Sequence, residues 1–390
     1  MAGAPAVRAR RPKDRKQQIL RVAAERFRRV GYHNVRMAEI AEATGITAGA
    51  LYRHFSGKRE LLAACTEDSM DRLAELVRAP GELADLLGAV AGFAVEHRAL
   101  GVLWQREARH LAEERRRELR HGLRDAAAAL AERITLARPS LSTSDAELLA
   151  WCVFAVLASP AQHTVELEPS RFGDLLAGLS GAVVAADLPP AGAARSSPSG
   201  NGLARTSRRE MLLTAAIRLF SEQGYQSVSM AEVGAAAGIS GPSVYNHFAN
   251  KSELLVAALR RANETLQLAL SDALARAETA ESALHAVLDS YVGLTLSHSD
   301  LIGTLITELV NLPGEQRHEL RRVQHEYLAE WVNLLRTTHP ALPEPDARVM
   351  VHAAITLIND VARIHHLRTR PALSTELAHL ARTLLATPRR

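Results

Sequence analysis

Only two cysteines, Cys65 and Cys152, occur in 390 residues, too few for a disulfide framework. Cys152 stands in the apolar run from Trp151 to Phe154, a core setting, so a reducing cytoplasm is the expected compartment. No stretch reaches the roughly 18 uninterrupted apolar residues of a membrane-spanning helix. The N-terminus has no signal-peptide apolar core, and a soluble chain with no membrane partner is expected. Alternation of apolar and polar residues, the mark of a half-buried strand, is missing. So are a Gly-rich phosphate loop, a nucleophile elbow and a pair of catalytic carboxylates, and neither catalysis nor a cofactor has support. His352 and the pair His365–His366 lack regular metal-ligand spacing and read as core or solvated side chains, so no metal is expected.

What the chain does have is helical periodicity, a 47% apolar content and an internal repeat. Its length suggests two or three domains, and 16 prolines with 23 glycines do not signal disorder. Leu20, Ala23, Ala24 and Phe27 fall on one helical stripe, repeated by Leu213, Ala216, Ile217 and Phe220. Residues 15–62 lie over residues 208–255 without a gap, and 20 of the 48 positions are identical. The repeat continues downstream at an offset of 201, where Glu107, Leu111 and Asp145 match Glu308, Leu312 and Asp346. The change of offset from 193 to 201 implies about eight extra residues in the second copy. Between the copies, residues 187–206 gather Pro, Gly and Ser without helical period and read as a linker. The expected organisation is an arm over 1–13, heads at 14–62 and 207–255, and helical halves at 63–186 and 256–390.

Each head reads as a helix-turn-helix. Residues 37–43 form a short helix, Gly45 supplies the tight turn and residues 47–55 form the second helix. Leu51 and Phe55 face inward with Ile40 and Phe27, as Val244 and Phe248 do in the second copy. That leaves Ala48, Gly49, Tyr52 and Arg53 outward, and Gly241, Pro242, Tyr245 and Asn246 in the other head. Six of the nine residues from Arg8 to Lys16 are basic although the net charge is only +4. Directly before a DNA-reading pattern, Arg8, Arg10, Arg11 and Lys13 become an arm able to touch phosphates.

The residues Phe27, Gly31–Tyr32, Met37–Ala41, Gly45–Ile46, Leu51–Phe55, Lys58 and Glu60–Leu62 resemble the DNA-binding domain of TetR-family regulators, and they do so twice. The resemblance implies an all-α fold, two TetR-like units in one chain, each with a three-helix head followed by a helical regulatory bundle. It implies that Tyr52, His54 and Lys58, with Tyr245, His247 and Lys251, hold phosphates of double-stranded DNA. Thr47, Ala48, Gly49, Ala50 and Arg53 then fall where base edges are read, as do Ser240, Gly241, Pro242, Ser243 and Asn246. Arg36 and Ser229 precede the first helix of each motif. Gly49 and Ala50 offer few hydrogen bonds, so the first head must lean on Arg53, Arg36 or DNA shape. Arg53 suits guanine and Asn246 adenine in bidentate geometry.

The family's helical halves bind a small molecule and pair with each other, so the two halves here are expected to pair within the chain. The tandem arrangement also resembles regulators of lipid import, which implies a hydrophobic effector such as a lipid, a sterol derivative or an acyl-CoA. Trp104, Trp151, Phe154, Leu305 and His352 read as pocket lining or as core. Glu107 and Glu308 read as ligand-orienting carboxylates or as buried partners of a neighbouring helix. A repressor released by its effector is the expected function. An architectural DNA bridge, or a regulator with one head kept for protein contacts, competes with it.

Overall fold

Pro12 opens the first helix, where its missing N–H costs nothing, two residues inside the expected arm. The computed structural model describes residues 12–190 and 207–386, and among these no strand occurs. Helix α1 (Pro12–Val30) buries Ile19, Leu20, Ala23 and Phe27 and ends at Gly31, whose N–H donates to Phe27 O at 3.0 Å. Gly31 has φ +82°, a backbone state that a side chain rarely adopts. Helices α2 (Met37–Ala43), α3 (Ala48–His54) and α4 (Lys58–Arg78) follow. The second head repeats the order with α10 (Arg208–Gln223), α11 (Met230–Ala236), α12 (Gly241–Val244) and α13 (Lys251–Arg276), and Gly224 takes φ +83°.

The two recognition helices are not alike. Regular helix in α12 stops at Val244, and residues 245–247 continue as turns, although the match to α3 predicts helix through the same positions. Gly241 and Asn246 are weak helix formers, whereas Pro242 lies in the first turn, where its missing N–H costs nothing. The inward anchors nevertheless hold their places, with Val244 and Phe248 as buried as Leu51 and Phe55.

Beyond the heads run α5 (Leu83–Glu96), α6 (Leu100–Val102) with the π and 3-10 turns that carry it to His110, α7 (Glu113–Ala137), α8 (Thr143–Ala158) and α9 (Pro169–Ala185). Their counterparts are α14 (Ala280–Ser297), α15 (Ser299–Glu308), α16 (Gly314–Thr338), α17 (Glu344–Val361) and α18 (Leu373–Ala386). Part of the inserted length lies in α13, which has 26 residues against 21 in α4.

Every residue from Leu148 to Leu157 is buried, so beyond its first turn α8 has no solvent face until its last residue. A helix apolar on all sides needs cover on all sides. Helices α5, α6, α7 and α9 cover part of it, and α17 from the other half covers another part, while α18 packs against α9. By length and composition the stretch Thr143–Gln162 would suit a membrane, but most of it is buried inside the fold. Matched ion pairs lie across the junction. Arg370 of the second half reaches Asp145 at 2.6 Å, and Arg171 of the first reaches Asp346 at 2.7 Å. Asp145 and Asp346 are the same position of the repeat.

Candidate nucleic-acid interface and interior cavity

In each head a positive-φ glycine (Gly45 and Gly238, both +67°) turns the chain between the two short helices. The first recognition helix is capped by Thr47, whose Oγ1 accepts from Ala50 N at 3.2 Å. Thr47 therefore holds the helix start as well as standing exposed beside Ala48 and Gly49. Ser229 caps α11 in the same way, with its Oγ accepting from Glu232 N at 3.2 Å while Glu232 Oε2 accepts from Ser229 N at 2.7 Å. At the matching position Arg36 donates only its backbone N–H, to Glu39 Oε2 at 3.3 Å, and its side chain is exposed. Ser240 and Ser243 pair through their hydroxyls at 2.9 Å.

Tyr52 and Tyr245 are 53% and 57% exposed, high for side chains of this size. Arg53, His54, Pro242 and Asn246 are exposed with them, and Ala50, Gly241, Ser243 and His247 are half-buried. These side chains stand on helices whose inner faces are pinned by Leu51, Phe55, Val244 and Phe248, so a rigid backing presents polar groups to solvent. Arg8, Arg10 and Arg11 lie outside the described residues, and so does the side chain of Lys13.

In both heads the lysine ammonium faces backbone carbonyls. Lys58 Nζ donates to Val35 O at 2.9 Å and His33 O at 3.2 Å, and sits 4.6 Å from the centre of the Tyr32 ring. Lys251 Nζ donates to Tyr225 O and Val228 O, both at 2.8 Å, and to Gln226 O at 3.3 Å, over the Tyr225 ring at 4.4 Å. An ammonium has three donors, and those of Lys251 are all engaged. Both lysines close the connection between the first two helices of their head, and burial lowers the pKa of both.

Glu107 and Glu308 are buried at equivalent places and tie each helical half to its head. Glu107 Oε2 accepts from Tyr32 N at 3.0 Å, and Glu308 Oε2 from Tyr225 N at 3.2 Å. Around Glu308 stand Thr307 Oγ1 at 2.9 Å, Asn311 Nδ2 at 2.8 Å and the guanidinium of Arg109 from the other half. Arg106 flanks Glu107 and caps α1 by donating to Phe27 O and Arg28 O, each at 2.8 Å. The residue two places on crosses to the opposite head. A methyl group on Gly224 would meet the Arg109 guanidinium at 2.8 Å, and one on Gly31 would meet Val310 at 3.3 Å. Arg109 and Val310 are one position of the repeat, and their role escaped the sequence reading because they differ. His110 stacks on Tyr32 at 4.8 Å and meets His33 at 4.5 Å. Burial first, then Arg109, holds its imidazole neutral with a pKa of about 3. In the second head the same two positions are Gln226 and Asn311, joined by a hydrogen bond of 3.2 Å.

A cavity of about 740 Å³ opens in the first half, with Trp104, Trp151 and Phe154 on its wall. Glu107, Leu305, Glu308 and His352 do not line it. The two glutamates are the head-binding carboxylates just described. Leu305 is buried in the second half, and His352 faces His163 across the junction with ring centres 4.8 Å apart. Among the described residues no group of three or more His, Cys, Asp or Glu is placed to hold a metal ion.

A family model described as "Bacterial regulatory proteins, tetR family" matches residues 19–65 and again 212–258. The chain is 36% identical over 102 residues to the HTH-type transcriptional activator FasR of Mycolicibacterium smegmatis, covering 26% of this chain and 45% of that protein. Over 110 residues it is 34% identical to the HTH-type transcriptional repressor KstR2 of the same species, covering 26% of this chain and 54% of that protein. It thus spans about half the length of these curated relatives. A solved tetR-family transcriptional regulator from Bordetella parapertussis overlays with a TM-score of 0.42 at 21% identity, over 46% of this chain and 93% of that one. Residues 19–65 and 212–258 are thus two copies of the tetR-family DNA-binding domain.

Proposed function

We propose that the chain is a cytoplasmic transcription regulator that acts as a one-chain pseudo-dimer. Its two heads bind one imperfect inverted repeat of double-stranded DNA, and a small hydrophobic effector releases them. The observation that carries the pairing is the burial of residues 148–157 of α8 on all sides, with α17 of the same chain supplying part of the cover. A fused partner also meets at high effective concentration. Two heads in such a pair reach successive major grooves roughly 34–36 Å apart. The unequal recognition helices favour half-sites of unequal sequence.

Occupancy of the operator blocks transcription, and an effector relieves it only by binding the DNA-free conformation more tightly. The relatives named above include an activator and a repressor, so transcription from a reporter carrying the operator gives the sign. Light scattering of the free protein should return a mass near 42.3 kDa; twice that value at low concentration rejects the one-chain pair. Exchanging residues 47–54 with 240–247 should reverse the polarity of the footprint, and an unchanged footprint refutes the assignment of one head to each half-site.

A further inference from the structure

The two halves fill their interiors differently. Val90, Ala94, Gly101 and Ala158 line the first-half cavity with small side chains. At the offset of 201 the second half has Tyr291, Thr295, Ile302 and Asn359. Tyr291 Oη donates to Asn359 Oδ1 at 2.9 Å, and the Tyr291 ring packs 5.8 Å from Trp331 and 6.4 Å from Tyr327. All three rings are buried, and Tyr327 and Trp331 stand where the first half has Ala126 and Leu130. The first half keeps its large rings at Phe93, Trp104 and Phe154, which line the cavity, where the second has Leu294, Leu305 and Ile355. Close packing leaves little room for both a ring cluster and a ligand.

The cavity also has a polarity. Its apolar wall carries six arginines and the carboxylates Glu222 and Asp360. Arg109 pairs with Glu308, Arg116 and Arg120 with Glu113, and Arg363 with Asp360, while among the described residues no carboxylate pairs with Arg98 or Arg124. Burial pushes the Asp360 carboxyl above the usual range, while the Arg363 guanidinium beside it at 2.8 Å opposes that shift. Trp151, nine-tenths buried on the wall, has an indole N–H with no hydrogen-bond partner. The remaining wall is shared with the second unit: Ser221 and Glu222 come from α10, the first helix of the second head, and Thr307 from α15. Arg109 lies on the wall and against Gly224, and it pairs with Glu308, which holds Tyr225 N.

We propose that the chain has a single effector site, the first-half cavity, for an amphiphile with an apolar tail and an anionic carboxylate or phosphate end, read by the second DNA-binding domain through Arg109. This rests on reading the chain as a ligand-responsive DNA-binding protein and deepens that reading. A volume of about 740 Å³ suits one such molecule. The tail takes the aromatic wall and the anion takes the arginines, where charge-assisted hydrogen bonds are the strong ones. Displacing Arg109 withdraws one partner of Glu308 and so loosens the connection after the first helix of the second head.

Calorimetry and native mass spectrometry on the full chain, with dodecanoate, dodecyl phosphate and dodecanol as probes, test this. One anion per chain is expected, with dodecanol about tenfold weaker or worse for want of the charged contact. Two anions per chain overturn the single site; dodecanol binding as well as the anions, or neither anion binding, overturns the ligand class. The two anions, compared with each other, distinguish a carboxylate from a phosphate ligand. Val90→Tyr, which gives the first half the second half's residue, should abolish binding. Arg124→Gln, at an exposed position, should weaken both anions and leave dodecanol unchanged, and equal binding in both variants overturns the placement. Ligand should lift protection first from the half-site of the second head, and first release of the other head overturns the route through Arg109. Operator binding without ligand is measured on the same samples. Its loss would refute the proposed function, whereas intact operator binding with the wrong stoichiometry refutes this inference alone.

Discussion

Replacing Glu308 by glutamine should be among the most damaging conservative changes in the chain. Glu308 is buried and accepts from four directions: Tyr225 N of the second head, Thr307, Asn311 and Arg109 of the other half. Glutamine keeps one oxygen for Tyr225 N but turns an amide N–H₂ toward groups that are themselves donors. It also leaves the Arg109 guanidinium, 16% exposed, without its counter-charge. Breaking one side of a buried pair costs about 3–5 kcal/mol, and the partial exposure of Arg109 argues for about 3. Arg109→Met removes the charge and leaves Glu308 three donors, so about 1–2 kcal/mol is expected. In the double variant no charge is stranded, and the combined loss should fall short of the sum by about 1–3 kcal/mol. Urea unfolding read by circular dichroism and by tryptophan fluorescence measures this, with coincident curves required before free energies are assigned. Losses that add within about 0.5 kcal/mol would refute the ion pair as a link between the halves.

Three further outcomes follow from the same geometry. Lys251→Met keeps the stem but loses donors to three carbonyls, so it should destabilise the second head by about 1–3 kcal/mol and leave the salt dependence of DNA binding unchanged. A slope lower by about one in a stable variant would instead restore the phosphate role. Tyr52→Phe and Tyr245→Phe should leave the urea midpoint unmoved, since both side chains are largely exposed, yet weaken operator and random DNA alike by roughly a factor of five for one lost hydrogen bond; sequence-selective weakening in a filter-binding assay would refute the backbone contact. The chain should also be acid-labile. Burial holds His163 at about 2 and His352 at about 4, so below the unfolded value near 6.5 the unfolded chain binds more protons than the folded one. Stability is then lost as pH falls from about 6.5 toward 4, by at most about 1.4 kcal/mol per pH unit for each ring, and a urea midpoint equal at about pH 7 and pH 5 refutes it.

The heads were legible because their signals are local. A positive-φ glycine, a capping residue and an inward pair four residues apart all fall within residues 45–55, and the 193-residue offset shows them twice. Exposure of Tyr52 and Arg53 follows from the helical period alone. What was not legible depends on backbone groups, which leave no mark in the sequence. Lys58 and Lys251 turn toward carbonyls of a connecting segment more than twenty residues away, and Glu107 finds an amide N–H 75 residues away. Matching the copies did single out Glu107 and Glu308, but the match favoured neither ligand nor helix as their partner. The shortened α12 was hidden for another reason. Proline is tolerated in the first turn of a helix, so Pro242 alone does not foretell where the helix ends.

Fusion explains why the residues at the centre of the molecule break the symmetry that the scaffold keeps. In a pair of identical chains each substitution near the dyad is made on both sides, and a new charge there meets its own copy. Joined halves escape that constraint. Arg109 can serve Glu308 because Val310, not a second arginine, lies against Gly31 on the other side. The His33–His110 contact and the Gln226–Asn311 hydrogen bond occupy equivalent places with different chemistry, one an aromatic contact and the other a polar one. Asp145 and Asp346, by contrast, both keep an arginine from the opposite half, and they lie at the junction that holds the two units together. Symmetry is kept where the halves adhere and lost where each half meets a head, its own or the opposite one. That distribution is what a chain needs if its two heads are to answer one signal unequally.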